Sequence, residues 1–175
     1  MARNPPPPTD PGRDTDAAAA RRVLVAARRA HMEDPDAALA TAISCHELGR
    51  ALGDEQLCAR ALTLQAAVSL RRGDLGAALE LVLEAERHAD HDDHVGRAEL
   101  AAIKAQLSLF TGSYAEALEH ARLAVATADV TGDLELRVHA QRTTCPVFGL
   151  LGVDDIRERI DTLLALTIEA GDRWE

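Results

Sequence analysis

GDLGAALELVLEA (residues 73–85) and GSYAEALEHARLA (residues 112–124) are one pattern written twice, 39 residues apart. Each opens on a glycine turn, after which apolar residues return at steps of three and four, as along one face of a helix. The spacing continues outward: Gly112 and Gly152 are 40 residues apart, Gly132 and Gly171 are 39 apart, and Gly53 and Gly132 are 79 apart, about twice the period. Two kinds of turn alternate along it. One comprises EDPD (33–36), RGDL (72–75), TGSY (111–114) and LGVD (151–154); the other comprises LGD (52–54), HDD (91–93), TGD (131–133) and AGD (170–172). A period of this size with two turns per repeat predicts stacked helical hairpins.

The turns carry helix-start chemistry. Asp34 followed by Pro35 offers an N-cap and then a proline at the first helical position, where its missing N–H costs nothing. Asp54, Asp74, Asp93 and Asp133 are placed to cap the helices that follow them, and Ser113 with Glu116 spells a capping box. Four hairpins result, in units of about 17–53, 54–92, 93–131 and 132–171, forming one all-α domain over 17–175. Residues 1–16, with Pro5 to Pro8 and a break at Pro11-Gly12, read as a disordered proline-rich leader.

Small residues repeat in register with the turns: Ala26, Ala66, Ala105 and Cys145 in the first helix of each unit, and Ala38, Ala78 and Ala117, then Cys45, Ala85 and Ala124, in the second. Backbones are expected to approach closely there. Leu62, Leu70, Val82, Ile103, Leu107, Leu109, Leu118 and Leu123 supply the apolar bulk between them. The chain holds only four aromatic side chains, Phe110, Tyr114, Phe148 and Trp174, which suits alanine-rich helices better than strands.

With these residues in view, the two central units resemble the tetratricopeptide-repeat family, whose G-x-Y-x-x-A-L motif is kept at Gly112 with Tyr114 and varied at Gly73, where Leu75 replaces the tyrosine. The chain departs from the family in period, 39–40 against about 34, as in the long-helix repeats of bacterial regulatory proteins. It also departs in unit four, with Arg157 in place of alanine and Pro146 inside the first helix. The resemblance implies a right-handed superhelix of about four antiparallel hairpins whose first helices line a concave groove for a peptide, a protein segment or a small ligand. Carried over by position, the groove residues are Arg60, Thr63, Leu70 and Arg71 in unit two, Glu99, Gln106 and Phe110 in unit three, and His139 and Arg142 in unit four. The asparagine sites of the family's carboxylate clamp hold Ala27, Ala67, Gln106 and Pro146, so that mode is not expected. Arg60 and Arg142 read first as solvated intrahelical pairs with nearby acids, and alternatively as sites for an anionic side chain or phosphate held by paired hydrogen bonds.

Composition removes whole classes of function. The net charge is −10 and Lys104 is the only lysine, so there is no basic face for a nucleic acid. Cys45, Cys58 and Cys145 make no zinc spacing or CxxC pair, which suits a reducing cytoplasm. No apolar run is long enough for a membrane span. No glycine-rich phosphate loop, HExxH, GxSxG or calcium-loop pattern occurs, so neither a cofactor nor an enzymatic reaction is expected, and the Asp154-Asp155 doublet reads as a helix start. The doublets Arg21-Arg22, Arg28-Arg29 and Arg71-Arg72 read as surface pairs with nearby acids. His31, His46 and His120 each stand alone on a helical surface.

The stretch HADHDDH (88–94) is the one metal-like sequence, with His88, His91 and His94 at steps of three. Its register places it between units two and three, so it reads as a polar connector rather than a site. The last helix carries Ile156, Ile160, Leu163, Leu164 and Thr167 on one face, with Leu166 and Ile168 off it. It lacks the polar cap that ends solenoids, an edge suited to a homodimer or an attached output domain. The expected function is a non-catalytic, cytoplasmic protein–protein interaction scaffold, the N-terminal sensory or regulatory segment of a bacterial signalling protein such as a diguanylate cyclase or a transcriptional regulator. The alternative is a sensor that binds a small molecule or signal peptide in the groove.

Overall fold

The structure, a computed structural model, describes residues 11–152 and 156–171. Pro5 to Pro8, the Asp154-Asp155 doublet and Trp174 lie outside them. The described residues form eight helices and no strand: α1 (Pro11–Ala30), α2 (Pro35–Leu52), α3 (Glu55–Arg71), α4 (Leu75–His88), α5 (His94–Phe110), α6 (Tyr114–Thr131), α7 (Leu134–Leu150) and α8 (Ile156–Glu169). None is long and apolar enough to cross a membrane. α1 starts at Pro11, not Ala17; the Pro-Gly pair read as a break opens the helix instead, with proline at the position that needs no N–H.

Five aspartates cap as their spacing predicts. Asp34, Asp54, Asp74, Asp93 and Asp133 accept the N–H of Ala37, Leu57, Ala77, Gly96 and Leu136, each at 2.9–3.0 Å. The capping box does not form: Ser113 occupies the N-cap position of α6, but its side chain makes no capping bond. Tyr114, Ala115 and Glu116 are exposed there. α2 and α6 close on Gly53 and Gly132 in the left-handed conformation (φ 66° and 67°), which only glycine adopts without strain. α4 lacks such a glycine. It leaves the helix through an extended Ala89 and is four residues shorter than α2.

Each helix packs on the next in the chain, and α1, α3, α5 and α7 also pack side by side in that order, whereas among the described residues the backbones of the even-numbered helices do not approach one another, and α2 and α4 meet through the rings of His46 and His88. The odd helices therefore form one layer and the even helices flank it. Ala38, Ala66, Ala78, Ala85, Ala105, Ala117 and Ala124 are all buried at the contacts, and Leu62, Leu70, Val82, Ile103 and Leu107 share one core cluster with Ala66, Ala78 and Ala85.

The first-helix register differs from expectation at both ends. Ala26 is exposed, and Ala27 packs on the core of the first hairpin; in unit four Thr144 is fully buried and Cys145 only partly. Positions 27, 66, 105 and 144 thus keep a constant step of 39, and the extra residue of unit four falls after Thr144. Thr144 enters the core because its hydroxyl donates to the Ala140 carbonyl (2.7 Å). α7 continues through Pro146. Leu123 is exposed rather than core.

Phe148 is the one fully buried aromatic among the described residues, and the Arg159 guanidinium of α8 lies 3.7 Å from its ring centroid. α8 buries Leu166 and Thr167, while Ile160, Leu164 and Ile168 stand exposed at steps of four. The predicted apolar face is therefore rotated: Leu166 belongs to the inside, and the uncovered apolar row is Ile160, Leu164 and Ile168.

Candidate ligand cleft

The layer of odd helices encloses a cleft. α1 contributes Arg21, Leu24 and Arg28, α3 contributes Arg60, Thr63 and Leu64, α5 contributes Glu99 and Ile103, α7 contributes His139, and His31 reaches in from the turn after α1. Four of the expected groove residues, Arg60, Thr63, Glu99 and His139, meet there. Gln106, Phe110 and Arg142 do not line it: Gln106 donates to the Thr143 carbonyl (3.0 Å), and Phe110 and Arg142 are exposed on α5 and α7. Thr63 is buried with its hydroxyl on the Ala59 carbonyl (2.8 Å), which leaves it a packing role.

A clasp repeats along the layer. Arg21 of α1 pairs with Asp54, the N-cap of α3. One repeat later, Arg60 of α3 pairs with Asp93, the N-cap of α5, through Nε to Oδ2 at 2.8 Å and Nη2 to Oδ1 at 2.5 Å. Burial on its own raises the Asp93 carboxyl; the Arg60 guanidinium and the Gly96 N–H outweigh it and hold the pKa below the usual range. Arg60 is thus engaged within the protein rather than presented to a ligand.

The third copy breaks the pattern. Position 99, one repeat after Arg60, is a glutamate, and it pairs with Arg28 of α1 across the cleft, both side chains nearly buried. Arg29 likewise reaches Glu135 of α7, Arg72 reaches Asp36 and Arg71 donates to the Met32 carbonyl (2.8 Å). The arginine doublets expected to pair locally instead join different helices. Sequence reasoning missed Arg28 and His31 as cleft residues. The signal for the clasp was present, in arginine at 21 and 60 and aspartate at 54 and 93.

With Arg28 and Glu99 spanning it, the cleft leaves about 30 Å³ for the centre of a water-sized molecule, space for a couple of waters. Its charged lining is Arg21, Arg28 and Arg60 against Glu99 alone, in a chain whose net charge is −10. Burial lowers the pKa of Arg28, opposed by Asp133 and Glu135. It lowers that of His139 to about 3, helped by the positive charges of Arg28, His31 and Arg142, so His139 is neutral at physiological pH.

Gly96 guards the second clasp. A Cβ there would meet Asp93 Oδ2 at 2.5 Å and Asp93 Cγ at 3.1 Å, and Asp93 is held by both its cap and Arg60. Gly96→Ala is accordingly expected to lower the thermal midpoint, although alanine in a helix is intrinsically better than glycine by about 1 kcal/mol. A midpoint raised in a melting experiment would contradict the tight fit of this turn.

His88, His91 and His94 do not converge. His88 ends α4 with Nδ1 against the Glu55 carboxylate, His91 offers its carbonyl to Arg97 (3.1 Å), and His94 begins α5. His46 does not stand alone as expected: its ring meets that of His88 with centroids 6.4 Å apart.

No family model matches the chain, and no curated protein is significantly similar to it. The likeness to tetratricopeptide repeats rests on the motifs at 73–85 and 112–124.

Proposed function

We propose that the protein is a non-catalytic interaction scaffold of tetratricopeptide-like hairpins whose cleft receives an acidic segment of a partner protein. The observation that carries this reading is the Arg28–Glu99 pair, which spans the cleft of an otherwise acidic chain while Arg21 and Arg60 stay clasped to Asp54 and Asp93. Glu99 is the internal stand-in for a ligand: its carboxylate occupies Arg28 as an incoming aspartate or glutamate would, and a partner carboxylate displaces it and widens the cleft. Guanidinium suits this exchange because its planar fork accepts a carboxylate from more than one side.

The test is fluorescence polarisation with short peptides of graded acidity. Affinity is expected to rise with acidic content, to fall with salt because the contact is electrostatic, and to be lost in Arg28→Ala. Glu99→Gln removes the internal competitor and is expected to strengthen binding about tenfold, the equivalent of one charge-assisted hydrogen bond. Binding that ignores peptide charge, or that is unchanged in both variants, sinks the proposal.

The apolar walls of the cleft, Leu24, Leu64 and Ile103, support a second reading, a sensor for a small organic anion. Binding of short carboxylates with no binding of peptides would favour it. On either reading the array suits the regulatory segment of a signalling protein, with the exposed row Ile160, Leu164 and Ile168 as the face for a second copy or an output domain. Light scattering checks this: Leu164→Glu is expected to convert a dimer to a monomer, and a chain monomeric before and after the substitution removes self-association from the proposal.

A further inference from the structure

His46 of α2, Glu84 of α4 and His88 at the end of α4 present three donor atoms that all lie within 4.8 Å of one another, the one such group found among the described residues. Glu84 and His88 are one helical turn apart and so share a face. His46 faces them from a helix whose backbone does not pack on that of α4. Its Nε2 is buried and has no hydrogen-bond partner, an arrangement that costs free energy unless something fills it. Nδ1 of His88 is engaged by the carboxylate of Glu55 from α3, which leaves Nε2 as the nitrogen open to a ligand. A carboxylate on the far nitrogen of a histidine is the usual outer support of a metal-bound imidazole.

We propose that His46, Glu84 and His88 bind a divalent transition-metal ion of the zinc class, with Glu55 as a positioning residue for His88. Two imidazoles and one carboxylate are a borderline donor set that suits zinc. Tetrahedral zinc with bonds of 2.0–2.1 Å places its donors about 3.4 Å apart, so the three side chains close on the ion by small rotations and leave the fourth position to water. The ion ties α2 to α4, helices of successive repeats whose backbones do not pack on each other. The three histidines of the 88–94 connector contribute only His88.

The experiment titrates zinc chloride into the full chain, stripped of metal with a chelator, and follows binding by calorimetry, with cobalt(II) absorption as a second readout of tetrahedral coordination. One ion per chain is expected, together with a rise in thermal midpoint. His46→Ala and Glu84→Gln are each expected to weaken binding about tenfold or more, and Glu55→Gln to weaken it about 10–100-fold through His88. His91→Ala and His94→Ala are expected to leave it unchanged. Glu84→Gln is half-buried and close in shape, so unchanged circular dichroism of that variant keeps the comparison valid if His46→Ala fails to fold. Absence of saturable binding at one ion per chain overturns the proposal. So does binding that survives Glu84→Gln intact, or that is lost on His91→Ala.

Discussion

Asp93→Ala is expected to lower the unfolding free energy by about 3 kcal/mol, because it removes a helix cap, typically about 1 kcal/mol, and strands a largely buried guanidinium, worth roughly 2 kcal/mol more. The side chains of Arg60 and Asp93 are 19% and 5% exposed, so solvent screens the pair little. Asparagine caps as well as aspartate does, so Asp93→Asn is expected to retain the cap and lose about 1–2 kcal/mol from the charge-assisted bonds. The equivalent clasp one repeat earlier serves as the control. Arg21 is 38% exposed, so Asp54→Ala is expected to cost about 1 kcal/mol, mostly its cap. Urea denaturation checks the order. Equal losses at Asp54 and Asp93 would mean that the second clasp contributes no more than a cap.

Acid is expected to weaken the fold well before carboxylates titrate. His139 has its pKa lowered to about 3, first by burial and then by Arg28, His31 and Arg142, whereas in the unfolded chain it titrates near 6.5. Between those values the unfolded chain holds one more proton than the folded one, so stability falls as pH drops from about 6.5 toward 3. From pH 7 to pH 5 this one residue accounts for about 2 kcal/mol. Asp93 acts in a different window: its depressed folded pKa gives stability that is present above its unfolded value of about 3.9 and lost below it. Denaturation midpoints measured between pH 7 and pH 5 should therefore fall in the wild type and flatten in His139→Gln. Some slope persists in that variant, because burial also lowers the pKa of His46 and His120. A variant that tracks the wild type at every pH would mean that His139 takes up its proton in the folded state.

The helices, and the starts of those capped by aspartate, were legible because they depend on local chemistry. An aspartate three residues before an N–H caps it whatever lies nearby, and a glycine at Gly53 or Gly132 ends a helix through its own backbone freedom. Burial was legible wherever the repeat was regular, as at Ala66 and Ala105. It failed at Ala26, Cys145 and Leu166, where spacing counted from the turns slips by a residue or more and a helix face turns by about 100° for each residue of error. The cleft was half legible. Arg60, Thr63, Glu99 and His139 were placed there by resemblance, but Gln106 turns to the Thr143 carbonyl and Phe110 and Arg142 are exposed.

Read alone, the sequence determined the all-α class, the 39-residue period and the capping aspartates, because these arise from propensity and hydrogen bonding within a few residues. Tertiary structure alone decided which charges meet. Arg28 and Glu99, Arg29 and Glu135, and His46 and Glu84 are far apart in the chain, and no local rule couples them. Their pairing depends on the packing of α1, α3, α5 and α7 side by side, which brings the end of α1 to α5 and α7, and on the passage of α3 between α2 and α4.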